Sequence, residues 1–175
     1  MFDVKQYEDK LKNIKINDSF LCQNMSEEVY IAMNNNTTYK NNKNYLVING
    51  EYAGGTIVLF PKDIVFTWYT KRNMTNEILG DIINFFAERD VPIYGSSNDI
   101  MIDGKKLLGT TSSEYKDGYY EGLFFSFDPD KEIIRSICQK EMKKEPIGLS
   151  TYNILPEDII ELCKKIINKY NLKEV

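Results

Sequence analysis

NDIMIDGKKLLGTT, residues 98–111, reads as a β-hairpin. Ile100 and Ile102 alternate with Met101 and Asp103, the period of a strand with one face buried. Asp103-Gly104 is a two-residue turn signal, because both positions tolerate positive φ. Lys105 and Lys106 follow the turn at once, and Leu107-Leu108-Gly109 comes next. Successive strand residues face opposite sides, so one of the two lysines must face inward or into a cleft. An ammonium taken out of water is costly unless it meets an anion, and Gly109 would leave room for one. A hairpin corner at which both amines reach water is the structural alternative.

Working outward, the whole chain has 175 residues, enough for one domain with a real core. Its net charge of −4 gives no basic face for non-specific nucleic-acid binding. Of 22 basic residues the only arginines are Arg72, Arg89 and Arg135, which excludes a multi-arginine phosphate clamp. There is no histidine, so Ser-His-Asp and Cys-His triads and most catalytic zinc sites are excluded as well. Cys22, Cys138 and Cys163 are odd in number and widely spaced, which reads as reduced thiols. The N-terminal stretch MFDVKQYEDKLKNIK is charged, and no run of about 20 apolar residues occurs. A cytoplasmic protein without a membrane span is expected.

Residues 3–13 suit a short polar helix. Strands are expected over 27–33, 44–49, 55–60 and 63–70, with Pro61-Lys62 turning the third into the fourth. Ile78, Leu79, Ile82, Ile83, Phe85 and Phe86 recur at helical spacing and predict a helix over 75–90. After the hairpin, GLFFSFD (122–128) predicts a strand with Leu123, Phe125 and Phe127 on one face. Asp128 is then the expected N-cap of a helix whose first residue is Pro129, running to about Lys144 and carrying Cys138 on its apolar face. Residues 156–171 predict a last helix with Ile159, Leu162, Cys163, Ile166 and Ile167 inward. The order gives an α+β fold, a mainly antiparallel or mixed sheet packed by helices, as one domain over 1–175 with a single hydrophobic core.

Three further stretches are candidates for chemistry. Gly54 and Gly55 in EYAGGTIVLF open a strand, where a glycine pair lets backbone approach a ligand, or marks a plain bulge. Asn98-Asp99 precedes the hairpin, where it can cap a turn or orient a lysine. NNNTTYKNNKN (34–44) is a polar loop, either bare surface or a binding loop.

In this order the pieces resemble the catalytic domain shared by lipoate–protein ligases and biotin–protein ligases. That family carries an Asn-Asp-(Leu/Ile)…Gly-(Lys/Arg)-Lys-(Ile/Val/Leu)-x-Gly segment, matched here by Asn98-Asp99-Ile100…Gly104-Lys105-Lys106-Leu107-Leu108-Gly109. The lipoate branch has a Ser-Gly-Gly-Gly-Ala-Val segment, and Ala53-Gly54-Gly55-Thr56-Ile57-Val58 stands in its place. VYIAMNNN resembles the strand and Asn-containing turn lining the acyl pocket, which brings in Asn35. YYEGLFFSFD resembles the strand leaving the site, and KKEPIGLSTYNI the segment beyond it. The similarity runs over 29–170.

The resemblance implies a fold like that of class II aminoacyl-tRNA synthetases and biotin ligases. It also implies ATP-dependent formation of an acyl-adenylate and transfer of the acyl group to a lysine of a lipoyl-carrier protein. ATP and Mg²⁺ would be required, with lipoate or octanoate as ligand. Lys106 would be the family's lysine, stabilising charge on the carboxylate and the α-phosphate, with Lys105 turned outward. Gly54, Gly55, Thr56, Asn98, Asp99, Gly109 and Asn35 would shape the ligand site, Asn98 and Asp99 supporting the lysine or a metal. This sequence departs from the family at two arginines before the glycines, where it has Gly50 and Glu51, and at histidines before the exit strand, where it has Tyr120 and Glu121. No accessory C-terminal domain of the kind many lipoate ligases carry is expected. Two other functions remain open. One is a degenerate member that binds an acyl group or nucleotide without turnover; the other is an ATP-independent acyltransferase, which needs a cysteine nucleophile.

Overall fold

A computed structural model describes residues 1–33, 39–40, 45–49, 56–96, 99–138 and 142–175. The chain begins with β1 (Phe2–Asp3), a short 3-10 turn, α1 (Tyr7–Lys12) and β2 (Asp18–Gln23). Then come β3 (Tyr30–Met33), β4 (Leu46–Asn49), β5 (Thr56–Leu59), β6 (Ile64–Thr70) and α2 (Thr75–Ala87). β7 (Tyr94–Ser96), β8 (Asp99–Ile102), β9 (Lys105–Tyr115) and β10 (Gly118–Phe125) follow. The last elements are α3 (Lys131–Ile137), α4 (Pro156–Lys169) and β11 (Lys173–Glu174).

The described strands form two sheets. The larger runs β1-β2-β6-β10-β9-β8-β7, with β11 added to β2, and the smaller runs β4-β3-β5. Pairing is mostly antiparallel, but β1 and β11 on β2, and β4 on β3, are parallel, so the α+β, mixed-sheet expectation holds.

β6 shows why the large sheet is central. All seven of its residues are buried. Ile64, Phe66 and Trp68 join a core beneath α2 and α4, while Val65 and Tyr69 join a second core with Tyr7 and Leu11 of α1 and Tyr30 and Ala32 of β3. A strand of period two that is apolar on both faces must be covered on both. The single core expected from sequence is therefore replaced by cores on either side of one sheet. A smaller cluster of Ile31, Val58, Phe60 and Ile137 joins the small sheet to α3.

On α2, Ile78, Ile82 and Phe86 of the periodic set are buried, Leu79 and Phe85 half-buried and Ile83 exposed, while on α4 the expected Ile159, Leu162, Cys163, Ile166 and Ile167 all turn inward. Leu123, Phe125 and Phe127 share the helix-side core. β2 is an addition, because its polar flanks Asp18, Gln23 and Asn24 hide a segment in which Phe20, Leu21 and Cys22 are buried. The cap of α3 is a correction. Asp130, not Asp128, accepts from the backbone N–H groups of Glu132 and Ile133, and the helix starts at Lys131. Asp130 has the extended backbone of a cap, φ −87° and ψ 110°, and its side chain reaches the first free N–H groups of the helix. α3 also stops at Ile137, well short of Lys144.

No described helix is long and apolar enough to cross a membrane.

Candidate functional site

The hairpin turn forms as its residues require, with Asp103 at φ 48° and Gly104 at φ 73°. What the sequence did not reveal is a break in register just beyond it. Ile102 pairs with Lys105 and Met101 with Lys106, but Ile100 pairs with Leu108 and Asp99 with Gly109. Leu107 is the extra residue of a β-bulge. Its consequence is a change of parity along β9. Without it, strict alternation from Gly109 would put Lys105 on the face of Gly109 and Asp99, with Lys106 behind. With it, Leu107 and Leu108 both join the helix-side core, and Lys106 moves to the face of Asp99. Lys105, opposite Ile102, lies on the other face.

That face is the floor of a cavity of about 690 Å³ between the two sheets and the segment after α3. One cross-strand row, Asp99–Gly109–Phe124–Val65, spans β8, β9, β10 and β6. Three strand spacings make it about 14 Å long. With Val65, the lining takes in Ile57, Val58 and Phe60 of the small sheet and its following turn, and Phe124, beside the polar Thr67 and Ser126. Toward Asp99 the lining is charged. The Lys106 ammonium lies 2.7 Å from one Asp99 oxygen, and the Lys144 ammonium 3.1 Å from the other. Lys144 also donates to Ser96 Oγ at 3.4 Å.

The backbone carries Lys144 to this place. Lys106 N–H donates to the Glu145 carbonyl at 2.8 Å, and Ile147 N–H donates to the Lys106 carbonyl at 2.9 Å. Residues 145–147 thus lie along β9 as a strap where the β10 pairing has ended at Leu108, with a bridge between Lys106 and Pro146. Burial alone would raise the Asp99 carboxyl. The hydrogen bonds and charges of Lys106 and Lys144 outweigh it and hold the group below the usual carboxylate range.

Of the residues singled out in sequence, Lys106, Asp99, Gly109 and Thr56 all line this one cavity. Gly54, Gly55, Asn98 and Asn35 lie outside the described residues. A Cβ on Gly109 would sit 3.7 Å from the Lys106 Cε and Nζ, so the glycine keeps clear the space beside the ammonium. Glu121, where the family has histidine, turns away from the cavity. It is fully buried and accepts from Trp68 Nε1, the backbone N–H groups of Met74 and Thr75, and the Thr75 hydroxyl, so it caps α2.

Two residues were missed or misplaced by sequence reading. Lys144 had only one signal, its place in KKEPIGLSTYNI, which resembles the family's segment beyond the exit strand. Cys138 is not on an apolar helix face. It is the C-terminal cap of α3 and lines the cavity. Burial holds its thiol above the ordinary range against the pull of Lys106. A thiol kept protonated is a poor nucleophile, which gives no support to the acyltransferase reading.

Mg²⁺ is usually held through one or two carboxylates together with substrate phosphates. Asp99 is the sole carboxylate among the described lining residues, and both its oxygens meet ammoniums. Among the described residues no group of three or more Cys, Asp or Glu side chains forms a metal site. Of the two supporting roles expected for Asp99, the pairing seen is with the lysines.

No family model matches the sequence. No curated protein matches it either. Solved structures do. P. falciparum LipL1, in complex with lipoate, superposes with a TM-score of 0.73 at 21% identity, over 95% of this chain and 55% of that one. A bipartite lipoate protein ligase of Thermoplasma acidophilum superposes with a TM-score of 0.73 at 9% identity, over 97% and 80%. The chain has the fold of the lipoate and biotin protein ligases. Lipoate-protein ligase A bound with ATP gives 0.72 at 10% identity, over 96% of this chain and 79% of that one. The biotin protein ligase of Aquifex aeolicus, in complex with biotin and ATP, gives 0.52 at 12%. The chain thus spans just over half the length of LipL1 and about four fifths of the other two lipoate ligases.

Proposed function

We propose that this protein is a lipoate–protein-ligase-like enzyme that activates a medium-chain carboxylic acid, lipoate or octanoate, as its acyl-adenylate and passes the acyl group to a lysine of a carrier protein. In the first step a carboxylate oxygen attacks the α-phosphorus of ATP and pyrophosphate leaves. In the second, the carrier lysine amine attacks the acyl carbon, an amide forms and AMP leaves.

One observation carries this reading: a cavity of about 690 Å³, lined in part by Ile57, Val58, Phe60 and Phe124, ends in a cluster of ammoniums around a single carboxylate, in a lipoate/biotin ligase fold. Those apolar side chains suit the hydrocarbon body of the acid, and the volume is in the range of small-ligand sites. Lys106, at the charged end, would face the acid's carboxylate and the phosphate it joins. A fixed cation in a partly dry cleft stabilises charge as it develops there. Asp99 would hold that ammonium in position, and Gly109 and Thr56 would shape the cleft beside it. Gly54, Gly55, Asn98 and Asn35 remain part of the proposed ligand site on the strength of the sequence resemblance. The ligands bound in the structures of LipL1 and lipoate-protein ligase A, lipoate and ATP, suit the same two ends. The T. acidophilum ligase is described together with its E2 lipoyl domain, the kind of carrier proposed here.

The test is mass spectrometry after incubation with ATP, Mg²⁺ and a mixture of lipoate, octanoate and biotin, beside Lys106→Ala. The expected result is an acyl-AMP with the wild type alone, whose mass names the acid. Retention of one acid without any adenylate would overturn the ligase reading in favour of binding without turnover.

A further inference from the structure

Lys106 is one cation, whereas a nucleotide phosphate brings more than one negative charge into the cleft. The two arginines that the family carries before its glycines are Gly50 and Glu51 here. No arginine lines the cavity among the described residues. Lysines do: Lys106, Lys143 and Lys144, against the one carboxylate of Asp99.

We propose that Lys144 is a second phosphate-binding cation of this site, positioned by Asp99 and by the strap at residues 145–147, and that it supplies charge the missing arginines would otherwise give. This rests on the ligase reading for the identity of the ligand, a nucleotide phosphate, but not for the existence of the anion site.

The geometry supports it in three ways. First, Asp99 uses one oxygen for each lysine, at 2.7 Å and 3.1 Å. Such a bridge brings together two ammoniums that would otherwise repel, and leaves the trio with a net positive charge. Second, each ammonium has three donors. Lys106 gives one to Asp99, and Lys144 gives its own to Asp99 and Ser96. Both keep donors for a ligand on the cavity side. Third, Lys144 is held there by backbone. The paired hydrogen bonds between Lys106 and residues 145 and 147 fix where the chain enters the site. Stability alone is a weak reason for the contact. The Lys144 side chain is 31% exposed, and an ion pair so open to solvent contributes little to folding.

The test is isothermal titration of the full chain with AMP and, separately, with lipoate, for the wild type, Lys144→Ala and Lys144→Arg. Loss of a hydrogen bond to a charged group predicts AMP affinity about tenfold weaker or more in Lys144→Ala. Lipoate affinity should change less than about twofold, and Lys144→Arg, which keeps the charge, should recover most of the loss. The salt dependence of AMP binding should also be shallower in Lys144→Ala. This pattern supports the inference whether or not the wild type forms an adenylate, so it survives failure of the ligase reading. Equal AMP affinity in wild type and Lys144→Ala overturns it, and leaves the ligase reading standing if adenylate forms. A wild type that binds neither AMP nor ATP overturns both.

Discussion

Asp63 and Asp99 are the same residue type in similar places, one just before β6 and the other opening β8, yet their surroundings push them in opposite directions. Asp63 is fully buried and meets neutral donors: the Ser126 hydroxyl and the backbone N–H groups of Phe60 and Phe127. Burial pushes its carboxyl up to about 8, against the pull of those hydrogen bonds. Asp99 keeps 21% of its side chain exposed and meets two ammoniums, which hold it low. A carboxylate satisfied by backbone is a joint, here tying the β5–β6 turn to the chain leaving β10. A carboxylate satisfied by two long cationic side chains at a cavity wall is a positioning device. Glu121, closed in by Trp68, Met74 and Thr75, belongs with Asp63.

The contrast can be broken by experiment. The largest effect on folding is expected at Asp63. Asp63→Ala strands three buried donors and should cost about 3 kcal/mol in urea unfolding, the order expected for unsatisfied buried groups. A cost under about 1 kcal/mol would mean that the joint is not one.

Asp63 also predicts a pH slope. Its folded pKa, about 8, lies above the unfolded value of about 3.9. The folded state therefore binds the proton more tightly, and the stability this contributes is lost as pH rises toward about 8. Urea midpoints should fall between about pH 5 and about pH 8, and Asp63→Asn, which mimics the neutral acid, should flatten the fall. Persistence of the full slope in Asp63→Asn would contradict the assignment. Asp99 has the opposite sign: its folded pKa is depressed, so its contribution is present above about pH 4 and lost below, outside that window.

Asp99→Asn should do less to the fold and more to the site. Its pairs are partly exposed, so the stability change should be under about 1 kcal/mol. Misplacing the Lys106 ammonium should lower adenylate formation about tenfold or more, mainly in kcat. A purely structural Asp99 would reverse this order.

Much of this architecture is legible in the sequence because local signals and burial agree. The Asp103-Gly104 turn, the inward faces of α2 and α4, and the gathering of Lys106, Asp99, Gly109 and Thr56 in one cavity follow from turn chemistry, period and family resemblance. What was not legible depends on contacts between distant segments. The bulge at Leu107 exists only in the register with β8, so sequence could say that one lysine faces the cleft but not how the strand turns Lys106 there. Lys144 reaches Asp99 only because residues 145–147 lie along β9. Cys138 lines the cavity because α3 ends at Ile137, and no helical period marks that end. β2 stayed hidden because Asp18 and Gln23 mask a short segment that earns its place by pairing with β6.

The most direct test of the central claim is ATP–pyrophosphate exchange, which reports reversible adenylation without a carrier protein. The account predicts exchange that depends on added lipoate or octanoate in the wild type. In Lys106→Ala it should fall by about 10²–10³-fold with little change in Tm, the size seen when one charge-stabilising donor is removed. Exchange that ignores the acid, or that survives intact in Lys106→Ala, would contradict it.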